Sequence, residues 1–444
     1  MILAENPGLR AGFFCLLYFC QGFPWGFAVV ALLAILSSAG HSAADTAIIA
    51  SMAVLPWTFK LIFAPLIDSF RLPELGIRRP WIALAQFGMA STLLLVWFAG
   101  GVEQKSTIMF LAWVLFVHNC FAALQDVATD ALAIDLLKDR ERGKLMGWMW
   151  ASKTMGISFG GGGLAIVANR GGMDQAILLQ AMIILAVLIL VVMVLERRGD
   201  KYVPWHAHAE LDLHADGHSG FVRTVTCLKQ AFSARLTLGC GLVALLAFAG
   251  EGLFDPLATE YFVQVLGWSV EEYAGQRATT GIAAEMAGAL GGGYLASRFC
   301  SRWVSASAFV LMSATLLVFA WSMEGFSRDS AGAAWLVPVF RGSVCFAYVS
   351  VFALFMKISW TAAAATQFTI YMTLGNISYV VGVELNSWLP AWGYDLSHQQ
   401  MFMIGGVLSL LPVMVLAVLD PEEIQERKAL ASRGQVLLTR PDTA

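Results

Sequence analysis

The sequence predicts an all-α, polytopic membrane protein with twelve transmembrane helices in two bundles of six. Three observations carry this. Of 444 residues, 58% are hydrophobic and only 13% charged, against about 25% charged in a soluble globular chain. Apolar runs of about 20 residues, the length needed to cross a bilayer core, recur twelve times. The longest polar stretch, 196–235, falls after the sixth run and leaves six on each side.

The runs lie near 10–37, 44–67, 81–100, 107–136, 145–168, 175–195, 236–262, 272–298, 303–323, 333–356, 363–388 and 400–419. The chain therefore divides into an N-terminal bundle (1–195), a linker (196–235), a C-terminal bundle (236–420) and a tail (421–444). The start, "MILAENPGLR", has no basic n-region, so the first run is read as a retained span rather than a cleaved signal. With the N-terminus inside, the inside segments hold 21 Lys and Arg, while Lys105, Arg170, Arg277 and Arg328 lie outside. This asymmetry places both termini and the linker in the cytoplasm.

The first run contains "QGFPWGFA" and the seventh "EGLFDPLA". In each, a polar residue (Gln21, Glu251) precedes a glycine, and a proline follows within a few positions. Glycine and proline weaken a helix, and matched interruptions in two halves point to a transporter's central site. The fifth and eleventh runs echo each other more faintly, as "KTMGISFGGG" and "MTLGNISYVVG". Their small residues suit close helix packing. After the second run, "PLIDSFRLPELGIRRPW" sets Asp68 before Arg71, Arg78 and Arg79; after the eighth, "ASRFCSRW" holds Arg298 and Arg302. An acid at a helix end facing arginines across a tight turn suggests a cytoplasmic ion-pair latch.

The fourth run is the most unusual, carrying Gln125, Asp126, Asp130 and Asp135. A carboxylate at mid-bilayer costs roughly 2.5–3.5 kcal/mol on insertion scales. At 100° per residue, Asp126 and Asp130 share a face with Asn119, and His118, Gln125 and Thr129 form the next stripe. Together they make one polar sector about 16 Å long. Asp135 falls elsewhere, beside "KDRERG", and reads as part of a surface ion-pair turn. Only Lys60, Lys153 and Arg341 are basic within runs, against Asp126, Asp130, Glu251, Asp255, Glu285 and Glu384. By depth, Lys60 and Lys153 match Asp126 and Asp130, while Arg341 matches Glu251 or Glu285. Such groups must pair, face a wet cavity or take protons.

Trp25, Trp57 and Tyr371 sit near these polar positions and are candidates to stack on a solute. The seven cysteines form no CxxC pair, and the histidines of "HAHAELDLHADGH" (206–218) fit no standard metal spacing, so neither a metal nor a cofactor is expected. No basic stripe indicates nucleic acid. No HExxH motif supports a membrane-embedded enzyme.

"YFCQGFPWG", "PWTFKLIFAPLID", "RRPW", "LQDVATDA" and "RERG", in this order, resemble the major facilitator superfamily and, within it, the AmpG-like permease and acetyl-CoA transporter branch. The resemblance runs from about residue 10 to 170, with "EGLFDPLATEYF" and "ATQFTIYMTLGN" in the second half. It implies a monomeric secondary active transporter in a cell membrane, in a bacterium the inner one. It also implies proton-coupled uptake of a polar or anionic solute of muropeptide, acyl-CoA or siderophore kind. An efflux carrier of the same fold is the alternative. The residues expected to bind or couple are Gln21, Trp25, Trp57, Lys60, Gln125, Asp126, Asp130, Lys153, Glu251, Asp255, Glu285, Arg341 and Tyr371.

Overall fold

The computed structural model describes residues 1–38, 42–70, 74–99, 108–202, 220–232, 234–359 and 363–419. Twelve helical rods follow the twelve apolar runs to within a few residues. In the first half, α1 is Pro7–Gly26 continued by the π turn Phe27–Ala31 and by Leu32–Ser38. α2 is Ala43–Thr58 and Lys60–Ser69, broken at Phe59. α3 is Arg79–Phe98, α4 is Ile108–Leu136, and α6 is Met173–Met193. α5 is Asp139–Ser158 with the π turn Phe159–Gly163 and Leu164–Gly171. In the second half, α7 is Arg235–Ala247 and Ala249–Glu260 with the π turn Tyr261–Val265. α8 is Val270–Gln276, the π turn Arg277–Gly281 and Ile282–Arg298. α9 is Ser301–Ser322, α10 Ala331–Ile358, α11 Ala364–Ala391 and α12 His398–Val418.

Helix starts follow local chemistry. The Asn6 side chain accepts from the Leu9 N–H at 3.0 Å, with Pro7 at the first helical position. Ser42 with Asp45, Ser269 with Glu272 and Ser397 with Gln400 form reciprocal caps. At the start of α5 the Glu141 side chain accepts the Lys138 N–H at 3.3 Å, so "RERG" lies in a helix rather than in the turn where the sequence reading placed it. The linker also contains a helix that the sequence reading missed, Gly220–Phe232, packed on the second segment of α2.

Among the described residues, nine helices are long and apolar enough to cross a membrane on their own. α5, α8 and α11 are not. They carry Lys153, Glu285 and several Thr, Gln and Asn residues, which lower their hydropathy. The outer surface carries the large apolar groups, including Phe98, Trp321 and Val418, as a lipid-facing shell requires.

The packing of one half is repeated in the other. α1 packs on α5, α2 on α4, α3 on α4 and α6; α7 packs on α11, α8 on α10, α9 on α10 and α12. The matched glycines explain part of this. A Cβ on Gly22 would collide with the Lys153 carbonyl of α5, and one on Gly252 with the Tyr379 carbonyl of α11. Each glycine lets the first helix of its half lie against the backbone of the fifth.

The halves meet through α5 with α8 and α10, and through α11 with α2 and α4. The named contacts lie at the end of the bundle that carries residues 194–202, here termed the linker face. There residues 1–4 run beside 194–196, the Leu3 N–H donating to the Leu195 carbonyl at 2.8 Å. Arg142 of α5 reaches the Met356 carbonyl of α10 at 2.7 Å. Gly143 and Gly147 lie against Ala289, Gly293 and Ala296 of α8. The molecule is shut at the linker face.

Candidate functional site

The wall of the first half is built where α2 breaks. Phe59 leaves the helix (φ −95°, ψ 4°) and Lys60 begins the second segment. This turns the Lys60 ammonium inward, 3.2 Å from Asp126, with both side chains 2% exposed. Gln21, beside the close approach at Gly22, donates to the other Asp126 oxygen, and the Tyr18 hydroxyl donates to Asp130. Lys60 also lies 3.6 Å from the Met372 sulfur of α11, so this cluster touches the opposite half. Lys153 is half-buried, 5.0 Å from the centre of the Trp150 ring and 5.7 Å from that of Trp57. Trp25 meets Trp57 edge-on at 5.6 Å.

The polar sector of α4 is not one surface. Asp126 and Asp130 face α1 and α2, whereas Gln125 turns into the bundle. It accepts from Gln86 at 2.6 Å and donates to the Leu17 carbonyl at 3.1 Å. His118 likewise meets Thr92 at 2.9 Å within the half. Adjacent residues on a helix differ by 100°, so both stripes reach α1, but Asp126 also meets α2 whereas Gln125 meets α3. Tyr371 is also separated from the cluster. It is fully buried, its ring lies 4.7 Å from Phe355, and its hydroxyl accepts from Gln367 at 3.1 Å.

In the second half, Arg341 of α10 holds three carboxylates, not the single partner expected. Its Nε is 2.7 Å from Glu285, and one terminal nitrogen is 3.2 Å from Glu251 and 3.5 Å from Asp255. Glu251 and Asp255 are four residues apart on α7, which puts both on one face. The Tyr379 hydroxyl donates to Asp255 at 2.9 Å, and Arg277 stands 3.9 Å away. Arg341, Asp255 and Glu285 keep 16–18% side-chain exposure. These three side chains are therefore in part open to solvent.

At the linker face Asp68 pairs with Arg78 at 2.9 Å. It also accepts the Thr366 N–H and hydroxyl, each at 2.8 Å, and the Ala365 N–H at 3.4 Å. A carboxylate of the first half thus caps the start of α11 in the second, where the helix dipole favours negative charge. Arg78 continues to Asp135 at 2.9 Å. The other arginines grouped with Asp68 do other work. Arg79 donates to the Val194 and Lys201 carbonyls, because it opens α3 beside the end of α6. Arg298 is exposed over the Tyr294 ring, and Arg302 lies over Trp303. Arg71 falls outside the described residues. Sequence reasoning missed Thr366, Arg142 and Glu196. The Glu196 carboxylate gathers the N–H groups of Ile77, Arg78 and Arg79. Burial pushes its carboxyl up, and the three N–H donors pull it back. The positions of its helix-capping partners are fixed by tertiary folding and leave no local signal.

Among the described residues no group of three His, Cys, Asp or Glu is placed to hold a metal ion. The histidines of 206–218 lie outside those residues.

Residues 14–383 match the profile of the Major Facilitator Superfamily. The anhydromuropeptide permease of Escherichia coli K12 is 24% identical over 377 residues, 83% of this chain and 71% of that protein. An uncharacterized membrane protein of Saccharomyces cerevisiae is 28% identical over 164 residues, 33% of this chain and 29% of that protein. The match thus spans less than a third of the yeast relative's length. Among solved structures, a proton:xylose symporter with a bound bromo-deoxy-glucose superposes with a TM-score of 0.68 at 13% identity, covering 96% of this chain and 100% of that one.

Proposed function

The chain belongs to the Major Facilitator Superfamily and is a transporter rather than an enzyme; from this premise we propose that it couples proton entry to uptake of a polar or anionic solute. It acts as a monomer in a bacterial inner membrane, its linker face toward the cytoplasm. The residues 1–195 and 236–420 are the two bodies that rock about the cleft. The closed linker face is then one of the two access states, loaded from the far side.

The observation that carries this reading is the cluster around Arg341. Three carboxylates share one guanidinium, with Arg277 at the margin of Asp255, so the acids outnumber the bases. The planar fork of arginine suits a solute carboxylate or phosphate as well as it suits glutamate. A solute anion that takes one position on the fork releases a carboxylate. In a cleft of low dielectric the released group is neutralised by a proton, so solute and proton are held together. Closure of the far face and opening of the linker face then delivers both.

The similarity to an anhydromuropeptide permease makes a muropeptide-like solute the first candidate, with acyl-CoA and siderophore-like solutes beside it. The test is uptake of each solute by the purified protein in liposomes under an inward proton gradient. Uptake that collapses when a protonophore is added is expected. Uptake indifferent to the gradient overturns the coupling.

A further inference from the structure

Around Lys153 the first half presents donors that have no acceptor. The Lys153 ammonium has no carboxylate within ion-pair distance among the described residues, although Lys60, 6.0 Å from the centre of the same Trp57 ring, has Asp126 at 3.2 Å. The indole N–H groups of Trp57 and of Trp150 are both buried and both without a partner. An indole N–H is a donor only, and a buried unpaired donor is unfavourable. One ammonium over two rings, each ring with an unmatched N–H among the described residues, gathers three donors in one place.

We propose that Lys153, Trp57 and Trp150 form a seat for an oxyanion, a carboxylate or phosphate, carried by the solute. This deepens the transporter reading and rests on it. An oxyanion offers several lone pairs and makes its strongest hydrogen bonds with a cationic donor. The ammonium lies over both indole faces as a cation–π contact, which is weaker than its pairing with an oxyanion. The Lys153 side chain is only partly buried. Trp150 also stacks on Tyr348 of the second half, ring centres 5.2 Å apart, so the seat lies on the seam between the halves and its occupant is felt by both. The seat stands on one wall and the Arg341 fork on the other, so a solute with two acidic groups is held at both.

The test compares three probes on the purified full chain: glucuronate, glucose 6-phosphate and the neutral parent glucose. Dissociation constants come from ligand-induced shifts in thermal unfolding. The wild type is expected to bind both anions at least about tenfold more tightly than glucose. Lys153→Met should reduce that preference to below about threefold with an unchanged melting temperature in the absence of ligand, and Lys153→Arg should keep it. Trp57→Phe with Trp150→Phe retains the rings and the cation but removes both N–H donors, and should lower anion affinity about fivefold while leaving glucose unchanged. An unaltered preference in Lys153→Met, or no preference in the wild type, overturns the seat. If Lys153→Met fails to fold, an unaltered preference in the double phenylalanine variant overturns it. Proton-driven uptake is measured in parallel. Uptake intact without anion preference defeats the seat alone, and anion preference without uptake defeats the carrier reading alone.

Discussion

At the scale of single residues, the two charged clusters differ in what a substitution leaves behind. Asp126→Asn keeps the shape and the contact with Gln21 but strips Lys60 of its counter-charge in a nearly dry site. Breaking a buried pair in this way costs about 3–5 kcal/mol. The variant is expected to melt earlier and to lose uptake, and Lys60→Met added to it should recover stability without recovering transport. Thermal unfolding and liposome uptake on the same preparations check this. A double variant no more stable than the single one would show that the pair is not what holds these helices. Arg341 behaves differently because it has three partners. Arg341→Lys keeps the charge and loses the fork, so the solute KM should rise at least about tenfold at similar yield. Arg341→Ala leaves three carboxylates together and should lower yield. Glu251→Gln, Asp255→Asn or Glu285→Gln should each restore only part of it. Full rescue by one alone would reduce the cluster to a simple pair.

At the scale of elements, Asp68 makes one helix start in the first half's charge. Removing that charge by Asp68→Asn weakens the tie to Arg78 and the cap on α11 together. Charge at a helix start is typically worth 0.3–1 kcal/mol, and up to about 2 kcal/mol when partly buried. The linker face should therefore open more often, by up to about thirtyfold in population. Reaction rates of single cysteines introduced along the cleft, with a reagent added from the linker side, report it; unchanged rates would mean Asp68 is not a latch. The element scale is also where the sequence was most and least readable. Glycine and proline at 22, 24, 252 and 256 announced their helices, because a close approach leaves few alternatives to glycine. The periodicity of α4 gave the angle between Gln125 and Asp126 but not which neighbour stood at each angle. The polar positions beside Tyr371 in the chain suggest a solute contact; in the fold its hydroxyl is occupied by Gln367 and the Thr237 carbonyl. Depth along the chain pairs Arg341 with Glu251 or Glu285, but the number of acids on one guanidinium depends on how α7, α8 and α10 converge. Spacing within one helix cannot report such convergence.

At the scale of the whole molecule, the two six-helix halves meet where α5 crosses α8 with no room for a side chain at Gly143, Gly147 and Gly293. A Cβ on Gly147 would lie 2.6 Å from the Ala289 carbonyl, and one on Gly293 would lie 2.6 Å from the Gly143 carbonyl and 2.8 Å from the Gly147 Cα. Main chain rests on main chain there, on both sides of the meeting. A single methyl group is thus a doorstop. Overpacking of this kind costs typically 1–3 kcal/mol. The penalty falls on the shut form alone, because the two surfaces separate when the door swings. Gly147→Ala should therefore hold the linker-side door ajar, raising the open population by about 5–150-fold. Spin labels across the linker-side ends of α5 and α8 would show a longer distance distribution in the variant, and an unchanged distribution would mean the door has room for the stop. A protein jammed in this way would be caught in the state opposite to the one seen here, which gives a route to its second structure from one added carbon.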